Sequence, residues 1–201
     1  MNLPAKTYTV IYADPPWSYG DKGFGKRPDD AVVTGSFAPE AGRYSTMTLK
    51  DIEALNVRQI AASDSVLLLW ATSPLLPEAL RVMSAWGFKY KTVAFCWSKV
   101  TNTGKAVANL GQWTLGNVEL CLLGTKGSPK RLVRDIRQLV VAERTRHSQK
   151  PEEVSLRIGR LFGDVPRIEL FARCSPIGWD VWGNEVPDLN KEAEILKEML
   201  S

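Results

Sequence analysis

The stretch IYADPPWSYG, residues 11–20, ends a short apolar run with an aspartate, two prolines and a tryptophan. Each residue type brings its own capability. Proline has no N–H, so Pro15 and Pro16 present carbonyl acceptors only. Asp14 adds a carboxylate. A group gripped by such acceptors from two sides must donate two hydrogens, as an amino group does. Trp17 supplies a flat face on which a ring carrying that amine could stack. Adenine has this form. Two acceptors on its exocyclic NH2 draw the nitrogen lone pair out of conjugation with the ring, and the nitrogen becomes nucleophilic along the direction left free. Methyl transfer to an amine needs that and needs no metal. The competing reading is a strand-terminating turn around a half-buried tryptophan. The order, apolar strand and then Asp-Pro-Pro-aromatic, favours a site.

The elements that must position these residues alternate along the chain. Residues 7–13, rich in β-branched and aromatic side chains, predict a strand ending at the motif. Residues 18–46 are polar, glycine-rich and aperiodic. Residues 48–62 predict a helix with Thr48 as N-cap and Ile52, Leu55 and Ile60 on one face. SVLLLWA (65–71) suits a buried parallel strand. Residues 74–87 predict a helix with an apolar stripe from Leu75 to Trp86 and Gly87 at its C-terminal cap. Further strands are predicted at 90–97, 118–125, 138–143, 167–172 and 179–183. A helix is predicted at 150–161, with Pro151 near its start. A polar loop fills 98–116, and a basic connection fills 126–137. A short amphipathic helix is predicted at 190–200. The alternation implies an α/β fold with a largely parallel central sheet, which binds ligands beyond the carboxyl ends of its strands. Asp14 stands at such an end.

At 201 residues, 44% of them hydrophobic, the chain can bury a single core. Residues 1–187 are expected to form the catalytic domain and 188–201 a terminal helix. No run of 18 apolar residues occurs, and MNLPAKTYTV lacks a signal-peptide core, so no membrane association is expected. Cys96, Cys121, Cys174 and the single His147 form no metal-ligand pattern, so no metal is expected and the thiols fit a reducing cytoplasm. A net charge of +4 permits nucleic-acid binding without demanding it.

ADPPW, YSTMTLKDIEALNV (44–57), LLLWAT (67–72), AWGF (85–88), VELCLLGTKGSP (118–129), KPEE (150–153) and IELFAR (168–173) occur in this order. Together, over roughly residues 8–186, they resemble the family of adenine N(6)-methyltransferases that includes the catalytic subunit of the mRNA adenosine methyltransferase. Bacterial and phage members act on DNA. The resemblance implies a Rossmann-like fold that uses S-adenosylmethionine, with the catalytic motif preceding the cofactor-binding strand. Asp14, Pro15, Pro16 and Trp17 match its catalytic motif, and Asp14 is also placed near the methionine end of the cofactor. Tyr44 and Trp70 match aromatic positions beside the target adenine. Trp113 and Glu119 match the segment that gates and lines that pocket. Lys150 matches a contact to the cofactor carboxylate. Glu169, Leu170 and Arg173 match the strand end and turn beneath the cofactor. Asn184 and Glu185 match an Asn-Gln pair on the ribose hydroxyls, where glutamate keeps an acceptor and adds charge. Ser175-Pro176 replaces the family's His-Asn pair, and Gln149 replaces its histidine before Lys-Pro. The family's upstream strand for the cofactor adenine has no counterpart before residue 7, so other groups are expected to hold that ring.

Lys126, Lys130, Arg131, Arg134 and Arg137, then Arg144, Arg146 and His147, form a basic stretch. Lys130, Arg131 and Arg134 are expected to contact phosphates, the alternative being a solvated face. The expected substrate is adenine in DNA, with RNA as the alternative, in a cytoplasmic protein of bacterial or phage origin. A homodimer or a partner subunit stays open, as does a catalytically inactive nucleic-acid-binding role. The intact Asp-Pro-Pro-Trp argues against the inactive role. A metal-dependent nuclease using Asp14 lacks a second acidic residue at ligand spacing.

Overall fold

A computed structural model describes residues 2–18, 46–107, 109–111, 113–144 and 150–184. Seven strands form one sheet in the order β7-β3-β6-β2-β1-β8-β9. They are β1 (Tyr8–Ala13), β2 (Ala61–Ala71), β3 (Lys89–Val100), β6 (Val118–Lys126), β7 (Leu139–Glu143), β8 (Arg167–Leu170) and β9 (Asp180–Trp182). β1 pairs in parallel with β2 and β8, β3 with β7, and β8 with β9. β6 alone runs against both of its neighbours, β2 and β3. Six strands therefore share one direction, in agreement with the α/β, mostly parallel expectation. A separate two-stranded ribbon, β4 (Asn109–Leu110) and β5 (Leu115–Gly116), stands between β3 and β6 in the chain.

Side-chain alternation along the central strands feeds two cores. On one face Ile11, Ala13, Leu67, Leu69 and Ala71 pack with Ile52, Val57, Ala79, Val82, Met83 and Trp86. Those partners belong to α1 (Leu49–Ala54), α2 (Val57–Ile60) and α3 (Leu76–Ala85), with Trp86 at the C-terminal cap of α3. On the other face Val10, Tyr12, Val66, Leu68, Trp70, Phe95, Trp97 and Cys121 pack with Val154, Ile158 and Phe162 of α4 (Glu152–Phe162). Being covered on both faces, β2 reads as a continuous apolar run.

Several boundaries differ from the sequence reading. The helix expected over 48–62 is two short helices, because the chain turns extended at Leu55 and again at Ala61, where β2 begins. Thr48 does cap α1, accepting from the Asp51 backbone N–H. The helix at 74–87 opens with a 3-10 turn at Ser73–Leu75 and closes at Gly87, whose φ of +84° suits glycine. The predicted loop at 98–116 contains the end of β3 and the β4–β5 ribbon. Pro151 caps α4 rather than lying within it, so Lys150 stands outside the helix. The helix expected at 190–200, and the boundary proposed at 187, lie outside the described residues. No described helix is long and apolar enough to cross a membrane.

Trp86 ties the first helical layer together. It is fully buried, and its indole N–H donates to the Ile52 carbonyl at 2.9 Å. Trp86→Phe should cost at least about 2 kcal/mol in denaturant unfolding, through a lost ring and an unsatisfied buried carbonyl. Leu80→Ala, at a side chain 37% exposed, should cost distinctly less in the same measurement.

Candidate active site

β1 stops at Ala13 because Pro15 and Pro16 can donate nothing to a ladder. The turn that follows is fixed at three points. The Pro15 carbonyl accepts the Trp17 N–H at 2.8 Å, and the Pro16 carbonyl accepts the Met47 N–H at 2.9 Å. The Trp17 indole N–H donates to the Trp70 carbonyl at 3.2 Å. Each prolyl carbonyl thus keeps one lone pair. Trp17 is 9% exposed and its ring belongs to the first core. Little of the ring is left for a base to stack on. Its evident work here is to anchor the Asp-Pro-Pro turn to the end of β2.

Asp14 sits in a compact charged cluster at the carboxyl ends of the parallel strands. Its Oδ2 accepts from the Lys150 ammonium at 2.6 Å, and Oδ1 has no hydrogen bond to a described residue. Lys150 also reaches Glu119 Oε2 at 3.3 Å, and Lys99 bonds Glu119 Oε1. Glu119 reaches this edge because β6 is reversed, so that its first residues lie where its neighbours end. The four side chains are only 11–18% exposed. Beneath them lies an aromatic floor. Lys150 Nζ stands 5.3 Å from the Trp70 ring centre, and Lys99 Nζ stands 4.9 Å from that of Trp97. The two indoles meet edge to face at 6.3 Å, and the Trp70 N–H donates to the Tyr12 hydroxyl at 2.7 Å.

Burial and charge set the ionisation of this cluster. Burial raises the Asp14 carboxyl above the usual aspartate range; Glu119 adds to this, and Lys150 opposes it without cancelling it. Burial would raise Glu119 too, but the two lysines outweigh it and hold Glu119 low. Burial disfavours the Lys150 ammonium, yet Asp14 and Glu119 overcome that and raise it. On β8, Glu169 is raised to about 7, chiefly by burial and then by the Asp14 charge.

The other expected site residues divide into near and far. Glu169 and Leu170 end β8, and Arg173 follows them. The turn between them is strained: Phe171 has φ 60°, and its ring meets Trp182 at 5.5 Å. A Cβ on Gly183 would come within 2.6 Å of the Ala172 carbonyl, so only glycine lets β9 approach this turn. Asn184 follows, exposed. Trp70 is 1% exposed and serves as floor. Trp113 is 96% exposed on the turn joining β4 to β5. Tyr44, Glu185, Arg146 and His147 lie outside the described residues.

Lys130, Arg131 and Arg134 are not brought to the site. They follow the far end of β6, where the Leu132 N–H donates to the Leu161 carbonyl at the C-terminal end of α4. Lys150 lies at the other end of that eleven-residue helix, about 16 Å away along its axis. Among the described residues, exposed cations nearer the carboxyl edge include Lys105 and Arg144, which bracket the end of β3: the Arg144 N–H donates to the Val100 carbonyl, and Lys105 follows in the turn after it. Sequence reasoning passed over Lys99 and Tyr12. The available signal for Lys99 was its place two residues after Trp97, on the same side of a strand.

The donor set fits an amino-acid zwitterion with a nearby diol. Lys150 and Arg173 can meet a carboxylate, Asp14 and Glu169 an ammonium, and Asn184 hydroxyls.

The model of the MT-A70 family matches residues 8–185. The chain is 41% identical over 194 residues to the Type II methyltransferase M.MunI of a Mycoplasma species, covering 92% of this chain and 81% of that protein. It is 27% identical to the N(6)-adenosine-methyltransferase MT-A70-like of Arabidopsis thaliana and 26% identical to the human N(6)-adenosine-methyltransferase catalytic subunit METTL3. It covers about nine tenths of itself in both matches, but only 24% and 29% of those longer proteins. A match across most of the chain, with the Asp-Pro-Pro-Trp turn at the carboxyl edge of its sheet, places this protein in the MT-A70 family.

Proposed function

We propose that the protein transfers a methyl group from S-adenosylmethionine to the exocyclic amine of adenine in DNA. The observation that carries this reading is the pinned Asp14-Pro15-Pro16 turn, in which a carboxylate and two prolyl carbonyls are held in place as acceptors on three consecutive residues. The 41% identity to a Type II methyltransferase favours DNA. The more distant adenosine methyltransferases keep RNA as the second reading. The setting that follows is the cytoplasm of a bacterial or phage-infected cell, where DNA is within reach.

When bound, S-adenosylmethionine supplies an electrophilic methyl group on a sulfonium. Lys150, Arg173, Glu169 and Asn184 would hold its polar ends. Asp14 Oδ1 and a free prolyl lone pair accept the two amine hydrogens of the target adenine. These two bonds would draw the nitrogen lone pair out of the ring and leave it free to attack. As the N–C bond formed, the methyl–sulfur bond would break and a neutral thioether would leave; positive charge would pass to the amine, where the neighbouring Asp14 carboxylate would stabilise it in a site with little water. The surplus proton then leaves to solvent. Trp17 keeps the turn from moving. The exposure of Trp113 at the end of the β4–β5 ribbon supports a contact with nucleic acid rather than with cofactor.

Transfer of labelled methyl groups to matched DNA and RNA oligonucleotides, followed by nucleoside mass spectrometry, tests the reading. N(6)-methyladenine should form in DNA; product in RNA alone would favour the second reading, and no product from cofactor-bound protein would overturn both. Asp14→Asn exchanges an acceptor for a donor that faces an NH2, and should lower transfer at least about a hundredfold with the fold intact by circular dichroism.

The working form of Asp14 is the carboxylate. Because its folded pKa is raised, activity should fail as pH drops through a value above the ordinary aspartate figure of about 4. A pH profile of kcat/KM with an acid limb at or below that figure would remove Asp14 from this role.

Reaching the turn requires the base to leave its stack, so single-stranded or mismatched DNA should be methylated at least as well as duplex. Replacing Lys105 and Arg144 together with alanine should flatten the dependence of log affinity on log salt by about 0.9 per lost phosphate contact. Lys130→Ala with Arg131→Ala and Arg134→Ala should change that slope less, given their place at the far end of α4. The reverse order, read from binding titrations at several salt concentrations, would put the nucleic acid across the far face.

A further inference from the structure

We propose that Lys99 is a positioning residue for Asp14, acting through Glu119 and Lys150. The inference rests on the reading of Asp14 as the acceptor for the target amine. Lys99 belongs to none of the matched motifs and touches neither Asp14 nor the prolines.

The geometry is a chain of alternating charges: Lys99, Glu119, Lys150, Asp14. Glu119 gives Oε1 to Lys99 and Oε2 to Lys150. Lys150 lies between two carboxylates and leans toward one, 2.6 Å from Asp14 against 3.3 Å from Glu119. That asymmetry has a cause. Glu119 already has a cation of its own, so its claim on Lys150 is weakened. With Lys99 present, two carboxylates face two ammonium groups. Without it, two largely buried carboxylates would compete for one, and Glu119 would draw Lys150 away from Asp14. Asp14 would then lose both its neutralising charge and its orienting hydrogen bond, and its protonated form would gain.

Lys99 is itself well held. It is 15% exposed, its ammonium lies over the Trp97 ring, and Trp97 is the register partner of Glu119 across the β3–β6 ladder. Among the described residues, the other titratable or charged groups that interact with Asp14 are Tyr12 on β1, Cys121 on β6, Glu169 on β8 and Arg173 beyond it. Burial keeps Tyr12 and Cys121 neutral, and Glu169, raised to about 7, is largely protonated in the acid range where Asp14 titrates, which leaves Glu119 and the two lysines to set the balance, with Arg173 beyond them.

The test reads Asp14 in two ways, by 13C titration of labelled aspartate carboxyls, with Asp14→Asn identifying the signal, and by the acid limb of kcat/KM for methyl transfer. In Lys99→Met the Asp14 midpoint should rise by about one pH unit, a distant-neighbour share of the one to three units a direct partner gives. Lys99→Gln keeps a hydrogen-bond donor but no charge, and should give the same rise; it also serves if Lys99→Met does not fold. Lys99→Arg should leave the midpoint in place. Lys99→Met combined with Glu119→Gln restores the charge balance, and should bring the midpoint back toward wild type. A merely structural Lys99 predicts a further loss in that double variant. An unmoved Asp14 midpoint in the folded uncharged variants, or a double variant no closer to wild type, overturns the proposal. A midpoint that moves while the acid limb does not would leave the positioning role standing and remove Asp14 from the reaction.

Discussion

The ion pair between Lys150 and Asp14 is the constraint around which the site is arranged. A buried pair of this kind adds little net stability, because desolvation offsets most of the attraction, whereas deleting one partner alone costs about 3–5 kcal/mol. Its worth is geometric. It fixes which carboxylate oxygen is occupied and which has no hydrogen bond to a described residue. Each element around it serves that arrangement. Two prolines stop β1 at the right place, Pro151 starts α4 only after Lys150 has turned inward, and the tryptophan floor supports both ammonium groups with ring faces rather than competing hydrogen-bond acceptors.

Trp17 joins the chemistry to the core. Its amide and its indole each close a hydrogen bond, one within the turn and one to β2. The ring packs where Ile11, Ala13 and Leu75 also pack. A motif whose fourth residue reads as an open aromatic platform is thus, in this chain, a hinge pin driven into the core. Rigidity at the acceptors is what preorganised catalysis requires, since a carbonyl that swings gains less from a developing charge.

Much of this was legible in the chain. β1, α3, α4 and β8 follow from periodicity and caps, and the placing of Asp14 at a strand end follows from its prolines. Three things were not. The break of the helix expected over 48–62 depends on tertiary packing, which holds Ile52 and Val57 in one core while β2 begins at Ala61. The reversal of β6 leaves no mark in composition, because VELCLLGTK would suit a strand of either direction. Lys99 and the distance of Lys130, Arg131 and Arg134 from Asp14 both depend on that reversal. A basic run adjacent in sequence to a site strand was carried to the opposite end of the sheet, while an isolated lysine on the preceding strand was brought in.

That reversed strand also makes the enzyme modular. β3 and β6 are antiparallel neighbours, so the chain between them, residues 101–117, leaves and re-enters the sheet at the same edge, as in a hairpin. Its ends are pinned there, with the Lys99 N–H donating to the Asn117 carbonyl. Lengthening such a closed excursion costs little, about 0.6 kcal/mol for each doubling, and leaves strand order untouched. The fold therefore has room for an exchangeable segment beside the Asp14 cluster. That segment could grow or shrink while the strand order and the Lys99, Glu119, Lys150, Asp14 cluster stayed as they are.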